Sequence, residues 1–279
     1  MTDPLPRRRL GRTGIDVSVL GLGTVKLGRN QGVKYPQGFD IPDDAAVREL
    51  LAHAAELGIN LIDTAPAYGS SEERLGQLLP GPRERWVLCT KVGEEFAAGV
   101  SRHDFSPAAV RESVERSLRR LRTHWLDLVL IHSDGSDLDI IEHSGALEAL
   151  GELQREGKLR AFGMSTKTLA GGLRAAERCD LLMVTWNLAD ESQLPVIDRC
   201  HQLGTGVLIK KALASGHAAT GGDPVRAAFA RLLGHPGVAS LVVGTIDPAH
   251  LRANVVAAGN CMMGGRPPPE ALEKAGQGA

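Results

Sequence analysis

Short apolar runs alternate with longer amphipathic stretches along most of the chain. The runs predict strands over residues 19–22, 61–62, 86–90, 126–131, 159–164, 181–185, 206–209 and 240–243. The stretches between them predict helices over 42–57, from 71 onward, and over 108–121, 146–156, 168–177, 195–202, 224–233 and 248–256. Strands that are apolar on both faces and alternate with helices form parallel, buried sheets.

Eight strand–helix units within about 250 residues predict an α/β fold of the (β/α)8 TIM-barrel type. An open, doubly wound sheet is the alternative. We expect one domain over residues 1–279, with an N-terminal β-hairpin in region 1–18, where a Gly-bearing turn joins two short arms. Residues 259–279 contain Gly264-Gly265 and three consecutive prolines, and predict an irregular C-terminal arm.

Composition excludes several classes of function. Apolar residues make up 43% and charged residues 23%, with a net charge of -1, so no overall field attracts nucleic acid or a membrane surface. No apolar run approaches the roughly 20 residues of a membrane span, and no apolar segment follows the arginines at 7–9 as an export signal requires. Four scattered cysteines favour reduced thiols and a cytoplasmic location. The histidines show no ligand spacing, so we expect no metal.

Four polar residues of complementary chemistry lie at or just after the ends of three consecutive predicted strands. Asp63 ends the second strand, Lys91 the third and His132 the fourth, while Tyr68 lies in the loop after the second. Each alone has an ordinary interpretation, as a helix cap, a solvated lysine, a core histidine or an aromatic cover. Because the chemistry of such a barrel gathers at the carboxyl ends of its strands, we expect all four at one mouth.

These four residues could protonate a carbonyl oxygen. A phenol has a pKa of about 10, and a neighbouring lysine cation lowers that value. A carboxylate beside the lysine keeps it charged, and a neutral histidine can donate a hydrogen bond to a carbonyl. Tyr68 is then a general acid, and the arrangement predicts reduction of an aldehyde or ketone if a hydride is supplied. Two alternatives remain: a Schiff-base barrel of the class I aldolase type using Lys91, and a non-catalytic, cofactor-sensing or interaction subunit.

With these residues in place, the chain resembles the aldo-keto reductase superfamily over nearly its whole length. The motifs that carry the resemblance are Gly21-Leu22-Gly23-Thr24, Asp63-Thr64-Ala65-Pro66-Ala67-Tyr68-Gly69, Thr90-Lys91, Leu130-Ile131-His132, Gly163-Met164-Ser165, Trp186-Asn187, Leu213-Ala214-Ser215-Gly216, and Gly244-Thr245 followed by Asn254. The resemblance implies NAD(P)-dependent oxidoreduction with Asp63, Tyr68, Lys91 and His132 as the catalytic tetrad.

The resemblance also implies a set of residues that bind the cofactor. They are Gly23, Thr24, Asp63, Ser165, Thr166, Met183, Trp186, Lys210, Lys211, Leu213, Gly244, Thr245, His250 and Asn254. Ser165 and Thr166 would bind the carboxamide, and Trp186 would stack on the nicotinamide unless it is a core indole. Thr245 would bind a phosphate at a helix N-terminus, whereas Lys210 and Lys211 would reach the phosphates unless they form a solvated rim.

Two departures from the family pattern bear on the choice of cofactor. His250 stands where many NADP-preferring relatives have an arginine, and Met183 where the family often has a glutamine. NADP is the expected cofactor, with NAD possible.

The substrate prediction rests on the loops expected around the mouth. These loops contain only two aromatic residues, Tyr35 and Phe39, which favours a small or polar carbonyl substrate. The acidic residues Asp134, Asp137, Asp139 and Glu142 predict a solvated loop. Whether the chain has a protein partner is left open by the sequence.

Overall fold

Eight parallel strands form a closed barrel in the part of the chain that the structure, a computed structural model, describes: residues 5–33, 35–214 and 223–262. The strands are β1 (Arg7–Arg9), β2 (Asp16–Ser18), β3 (Leu20–Gly23), β4 (Leu61–Asp63), β5 (Val87–Val92), β6 (Glu94–Ala97), β7 (Val100–His103), β8 (Leu126–His132), β9 (Leu159–Ser165), β10 (Leu181–Thr185), β11 (Gly206–Lys210) and β12 (Ser240–Gly244). The barrel order is β10-β11-β12-β3-β4-β5-β8-β9, which confirms the (β/α)8 prediction.

Helices surround the barrel, and all of those described except the fourth begin within a few residues of the predicted positions. They are α1 (Asp44–Glu56), α2 (Ser71–Leu78), α3 (Pro107–Arg120), α4 (Asp137–His143), α5 (Ala146–Arg155), α6 (Leu169–Arg178), α7 (Leu194–Leu203), α8 (Asp223–Leu233) and α9 (Pro248–Met262). Side-chain caps begin several of them: Asp43 accepts from the Ala46 amide and Ser106 from that of Ala109. No helix in the described ranges is long and apolar enough to cross a membrane.

The period of two along each strand divides its side chains between two cores. In β10, Leu181 and Met183 belong to the cluster inside the barrel, whereas Leu182 and Val184 pack outward against the helices. The same alternation directs Thr185 inward. The final inward-facing position of each strand therefore contributes to one ring at the carboxyl end of the barrel, which we call the mouth.

The N-terminal hairpin covers the opposite end of the barrel. Strands β1 and β2 pair antiparallel, and Leu10, Ile15 and Val17 are buried in the inner cluster. A Cβ at Gly206 would lie 2.7 Å from Leu10 Cδ1, so the hairpin packs directly on the start of β11. The predicted hairpin is confirmed over its described residues, and the mouth is left as the open end.

Three local predictions were wrong. The predicted acidic loop contains α4, and Asp137 at its start is buried. A second hairpin, β6–β7, lies between β5 and α3 where no element was predicted. Helix α9 runs to Met262, past the predicted end at 256 and into the predicted arm, because Val255 and Ala258 continue its buried face. The rest of that arm lies outside the described residues.

Candidate active site

The structure brings the four predicted catalytic side chains together at the mouth. Asp63 and His132 are the last residues of β4 and β8, Lys91 is the last inward residue of β5, and Tyr68 ends a 3-10 turn, Pro66–Tyr68. Lys91 Nζ lies 2.5 Å from Asp63 Oδ1, donates to the Thr64 carbonyl at 2.9 Å, and lies 4.8 Å from the centroid of the Tyr68 ring. The Tyr68 and His132 rings are perpendicular, with centroids 6.2 Å apart.

Burial and charge set the protonation states of this group. Burial acts to lower the pKa of Lys91, but the neighbouring groups, the Asp63 carboxylate first among them, together hold that pKa above the usual range, so Lys91 stays an ammonium. Burial raises the pKa of Tyr68 to about 12, although the charge of Lys91 acts in the opposite direction. The expected net lowering of the pKa of this phenol was therefore wrong, because desolvation exceeds the effect of the cation. At neutral pH Tyr68 is a protonated donor.

The second hairpin adds an acid that the sequence interpretation missed. His132 Nδ1 lies 2.8 Å from Glu94 Oε2. The two groups are in close contact, but their orientation does not meet the angular criteria of a hydrogen bond. Ser101 donates to Glu94 Oε1 at 2.7 Å, and Arg29 Nη1 lies 3.8 Å from the same oxygen. Burial lowers the pKa of His132 despite Glu94. Burial acts to raise the pKa of Glu94, but His132 and Ser101 outweigh it and lower that pKa to about 2.

A lysine and a pair of hydroxyl residues lie on the neighbouring strands of the mouth. Lys210 Nζ donates to Ser165 Oγ at 2.8 Å and to the Thr166 carbonyl at 2.9 Å. Burial, with the nearby charges of Lys211 and Lys91, lowers the pKa of Lys210 to about 7. The structure therefore contradicts the alternative of a solvated rim for Lys210, whose side-chain nitrogen is turned inward. Lys211, one residue later, is exposed.

A buried carboxylate fixes the segment that follows Ser165. Asp137 accepts from the amides of Lys167 and Thr168, at 2.9 and 2.7 Å, and from Thr168 Oγ1 at 2.7 Å. It also accepts from Ser133 Oγ. The sequence interpretation treated Asp137 as solvated. Asp137 is buried because it lies at the start of α4, which tertiary packing brings against the N-terminus of α6.

Trp186 lies outside the barrel. The inward alternation of β10 ends at Thr185, and the Trp186 indole is fully buried among the helices. Its centroid is 5.7 Å from that of His235, and the Arg231 guanidinium lies 5.2 Å from it on the ring face. The structure contradicts the predicted stacking on a nicotinamide and supports the alternative of a core indole.

The other residues predicted to bind the cofactor differ in burial and in the groups that surround them. Gly23 and Gly244 pair across neighbouring strands, and a Cβ at Gly244 would lie 3.2 Å from Tyr35 Oη. Thr24 is buried, and its hydroxyl donates to the Asp63 carbonyl at 2.8 Å. Met183 is buried one layer below the mouth, opposite Ser165, and Leu213 is half-buried beyond β11.

The predicted phosphate site at the N-terminus of α9 already holds an acid. Asp247 Oδ1 accepts from the Ala249 amide at 2.7 Å, and Thr245 Oγ1 accepts from the Asp247 amide at 3.1 Å. His250 is exposed, with Nδ1 3.5 Å from Asp247 Oδ2, and Asn254 is half-buried on the same helix. A second anion at this helix end would meet the charge of Asp247, which the sequence interpretation did not consider.

The residues present nevertheless fit a nicotinamide cofactor. Thr166 Oγ1 is buried without a hydrogen-bond partner, next to the Ser165 hydroxyl and the Lys210 ammonium. Gly23 and Gly244 leave the adjoining strand ends free of side chains. A carboxamide and a phosphate could be held there by groups that are otherwise incompletely satisfied. No group of three potential metal ligands occurs among the described residues.

Comparisons with known proteins agree with this geometry. Residues 19–221 match the family model described as the aldo/keto reductase family. Over 230 residues the chain is 32% identical to L-galactose dehydrogenase of Arabidopsis thaliana, covering 78% of this chain and 68% of that enzyme. It is 37% identical over 137 residues to D-arabinose 1-dehydrogenase of Saccharomyces cerevisiae, covering 46% of this chain and 39% of the yeast enzyme. The match thus spans less than half of that relative.

A solved structure is similar over most of the chain. A Pseudomonas aeruginosa protein assigned to the aldo-keto reductases superposes with a TM-score of 0.84 at 53% identity, covering 92% of this chain and 95% of that one.

Proposed function

We propose that this chain, which belongs to the aldo/keto reductase family, interconverts a small carbonyl compound and its alcohol with NADP or NAD, and that Tyr68 donates the proton in the direction of reduction. The observation that carries the proposal is the Lys91–Asp63 contact of 2.5 Å beside the phenol ring of Tyr68. A buried, permanently charged ammonium next to a protonated phenol stabilises the phenolate that remains after the proton leaves.

Each residue of the site then has a distinct part in the reaction. When bound, the nicotinamide supplies or accepts the hydride. Tyr68 gives its proton to the carbonyl oxygen, Lys91 stabilises the resulting phenolate, and Asp63 keeps Lys91 protonated. His132 contacts the same oxygen and orients it. Ser165, Thr166 and Lys210 are proposed to hold the cofactor.

The geometry of Asp63 and Lys91 argues against the two alternative functions, a Schiff-base barrel and a non-catalytic subunit. A Schiff-base lysine must lose its proton to attack a carbonyl, and the Asp63 carboxylate opposes that loss at Lys91. A non-catalytic subunit would not require the buried Asp63–Lys91 pair. Burying two charges carries a desolvation penalty, which a catalytic role for the pair explains. Both observations favour the reductase.

We also propose a location in the cell and a preferred cofactor. The cysteines Cys89, Cys179, Cys200 and Cys261 are all free thiols, which supports a cytoplasmic location. NADP is proposed as the cofactor, but Asp247 at the N-terminus of α9 favours NAD more than the sequence alone suggested.

Substitution of the two tyrosines tests the proposal. We expect Tyr68→Phe to lose about 10²- to 10⁴-fold in carbonyl reduction, the range for one general acid. Tyr35→Phe, which removes the only other phenol of the chain, is the matched control and should retain turnover. An aldehyde and ketone screen with NADPH and NADH measures activity, and quenching of protein fluorescence measures cofactor binding. Full turnover by Tyr68→Phe with normal binding would contradict the proposal.

A further inference from the structure

Glu94, on the hairpin β6–β7, is an acid whose carboxylate lies against the His132 ring. Its carboxylate accepts from Ser101 Oγ and faces Arg29 Nη1 at 3.8 Å, and His103 also favours its ionised form. The pKa of Glu94 is lowered to about 2, so at neutral pH the group has no proton to donate. A ring nitrogen that faces this carboxylate at close range is therefore favoured in its protonated form, because an unprotonated nitrogen would place its lone pair against the negative charge.

The nitrogen that faces Glu94 is Nδ1 of His132, at 2.8 Å. A neutral imidazole carries one N–H, and the ring carries a second only as the imidazolium. With the single proton on Nδ1, Nε2 is an unprotonated acceptor, and it is the only ring nitrogen left for a substrate. This is the opposite of the tautomer that donates to a carbonyl oxygen.

We propose that Glu94 is a positioning residue that holds the proton of neutral His132 on Nδ1, so that the mouth is complementary to an alcohol and must take up a proton at His132 to bind a carbonyl. This inference rests on the proposed function and deepens it. An alcohol oxygen accepts one hydrogen bond from the protonated Tyr68 phenol and donates its own O–H to His132 Nε2. A carbonyl oxygen can only accept, so it is satisfied by both groups only when His132 is the imidazolium.

The surroundings of His132 make that proton uptake depend on pH. Burial, Lys91 on β5 and Lys210 on β11 all disfavour the imidazolium, and Glu94 on the hairpin favours it. The Tyr68 ring also packs against His132, but it adds no charge because its phenol is protonated. Affinity for a carbonyl should therefore fall as pH rises through the pKa of His132, which lies below 6.5, whereas affinity for an alcohol should not.

Nitrogen NMR of the full chain with ¹⁵N-labelled histidine tests the tautomer directly. At pH 8, where His132 is neutral, we expect a protonated Nδ1 and an unprotonated Nε2, with the signals assigned by their loss in His132→Gln. Glu94→Gln should shift the population toward protonated Nε2. Glu95→Gln is the matched control: it lies on the same strand, pairs with Arg116 on α3 and should leave the signals unchanged. A protonated Nε2 in the unsubstituted protein would overturn the proposal.

The pH profile supplies a second readout, with the best carbonyl and alcohol from the screen described above. For the unsubstituted protein, kcat/KM for the carbonyl should fall tenfold per pH unit above the pKa of His132, and Glu94→Gln should flatten that dependence. Glu94→Asp should restore it in part. An identical profile in Glu94→Gln contradicts the proposal. The NMR result does not depend on turnover, so failure of the Tyr68 assignment and failure of the tautomer assignment are distinguishable.

Discussion

Lys91 Nζ lies 2.5 Å from Asp63 Oδ1, with both side chains almost entirely removed from solvent. Removing one partner of such a pair leaves an uncompensated charge, which typically costs about 3–5 kcal/mol of the free energy of unfolding. We therefore expect Asp63→Asn to be destabilised by that amount, or to lose the proton of Lys91. In either case the phenolate of Tyr68 is stabilised less, and kcat should fall.

Asp127→Asn is the control for this substitution. Asp127 is also buried and is paired with Arg83 and Arg160, but it lies at the start of β8, far from the mouth. Urea denaturation should show a loss of stability in both variants, while steady-state kinetics should show a loss of kcat in Asp63→Asn alone. Equal loss of kcat in the two variants would mean that Asp63 acts only on stability.

We expect Lys210 to make cofactor binding depend on pH. The pKa of its amine is lowered to about 7, so below pH 7 it is an ammonium that attracts a phosphate, and above pH 7 the free protein loses that charge. We expect the dissociation constant for NADPH to rise with pH above 7, by up to tenfold per unit, until the higher pKa of the complex is reached. Lys210→Met should bind weakly and without this dependence.

The neighbouring lysine provides the comparison for that experiment. Lys211 is exposed, so Lys211→Met should keep the pH dependence seen in the unsubstituted protein. Fluorescence titration with NADPH between pH 6 and 9 measures both variants. If Lys210→Met retained the full pH dependence, the titrating group would be another one.

Asp247 should discriminate between the two cofactors. Asp247→Asn keeps an oxygen to accept from the Ala249 amide but removes the charge at the N-terminus of α9. Because one charge at a helix end contributes about 0.3–1 kcal/mol, we expect NADPH affinity to improve about two- to fivefold relative to NADH. His250→Arg should add to the gain by pairing with the 2′-phosphate. Parallel titrations with NADPH and NADH check this, and an equal change for both would place the 2′-phosphate elsewhere.

Trp186 should affect stability and leave cofactor binding unchanged. Its indole is fully buried outside the barrel, so Trp186→Phe should cost about 1–3 kcal/mol through the cavity it leaves. Chemical denaturation measures the loss, and cofactor titration should give an unchanged dissociation constant. A raised constant without a loss of stability would restore the stacking role.

The sequence predicted those parts of the site that depend on local pattern. Strand ends can be read from apolar runs, and the barrel geometry then requires that Asp63, Lys91 and His132 converge. The side of the strand is also a local property: Trp186 is an odd number of residues from the inward Met183, and that parity alone would have placed it outside.

Other features depend on packing between distant elements. Glu94 reaches His132 because the β6–β7 hairpin folds against the turn that carries Tyr68, and nothing in the acidic stretch around Glu94 specifies that contact. The net pKa of Tyr68 is likewise decided by burial, a quantity that the residue types do not contain. The burial of Asp137 also depends on packing between distant elements, since it arises from the contact of Asp137 with the N-terminus of α6.

The hairpin of β1 and β2 seals the barrel at the amino ends of its strands with Leu10, Ile15 and Val17. In the part of the chain that the structure describes, the mouth is then the open end of the barrel, through which we expect a reactant, a product and any exchanging water to pass. Whichever molecule occupies the deeper position has to enter before the other and leave after it. We therefore expect the order of arrival and departure during turnover to depend on this hairpin, at the end of the barrel opposite the mouth, and loosening that seal to open a second exit.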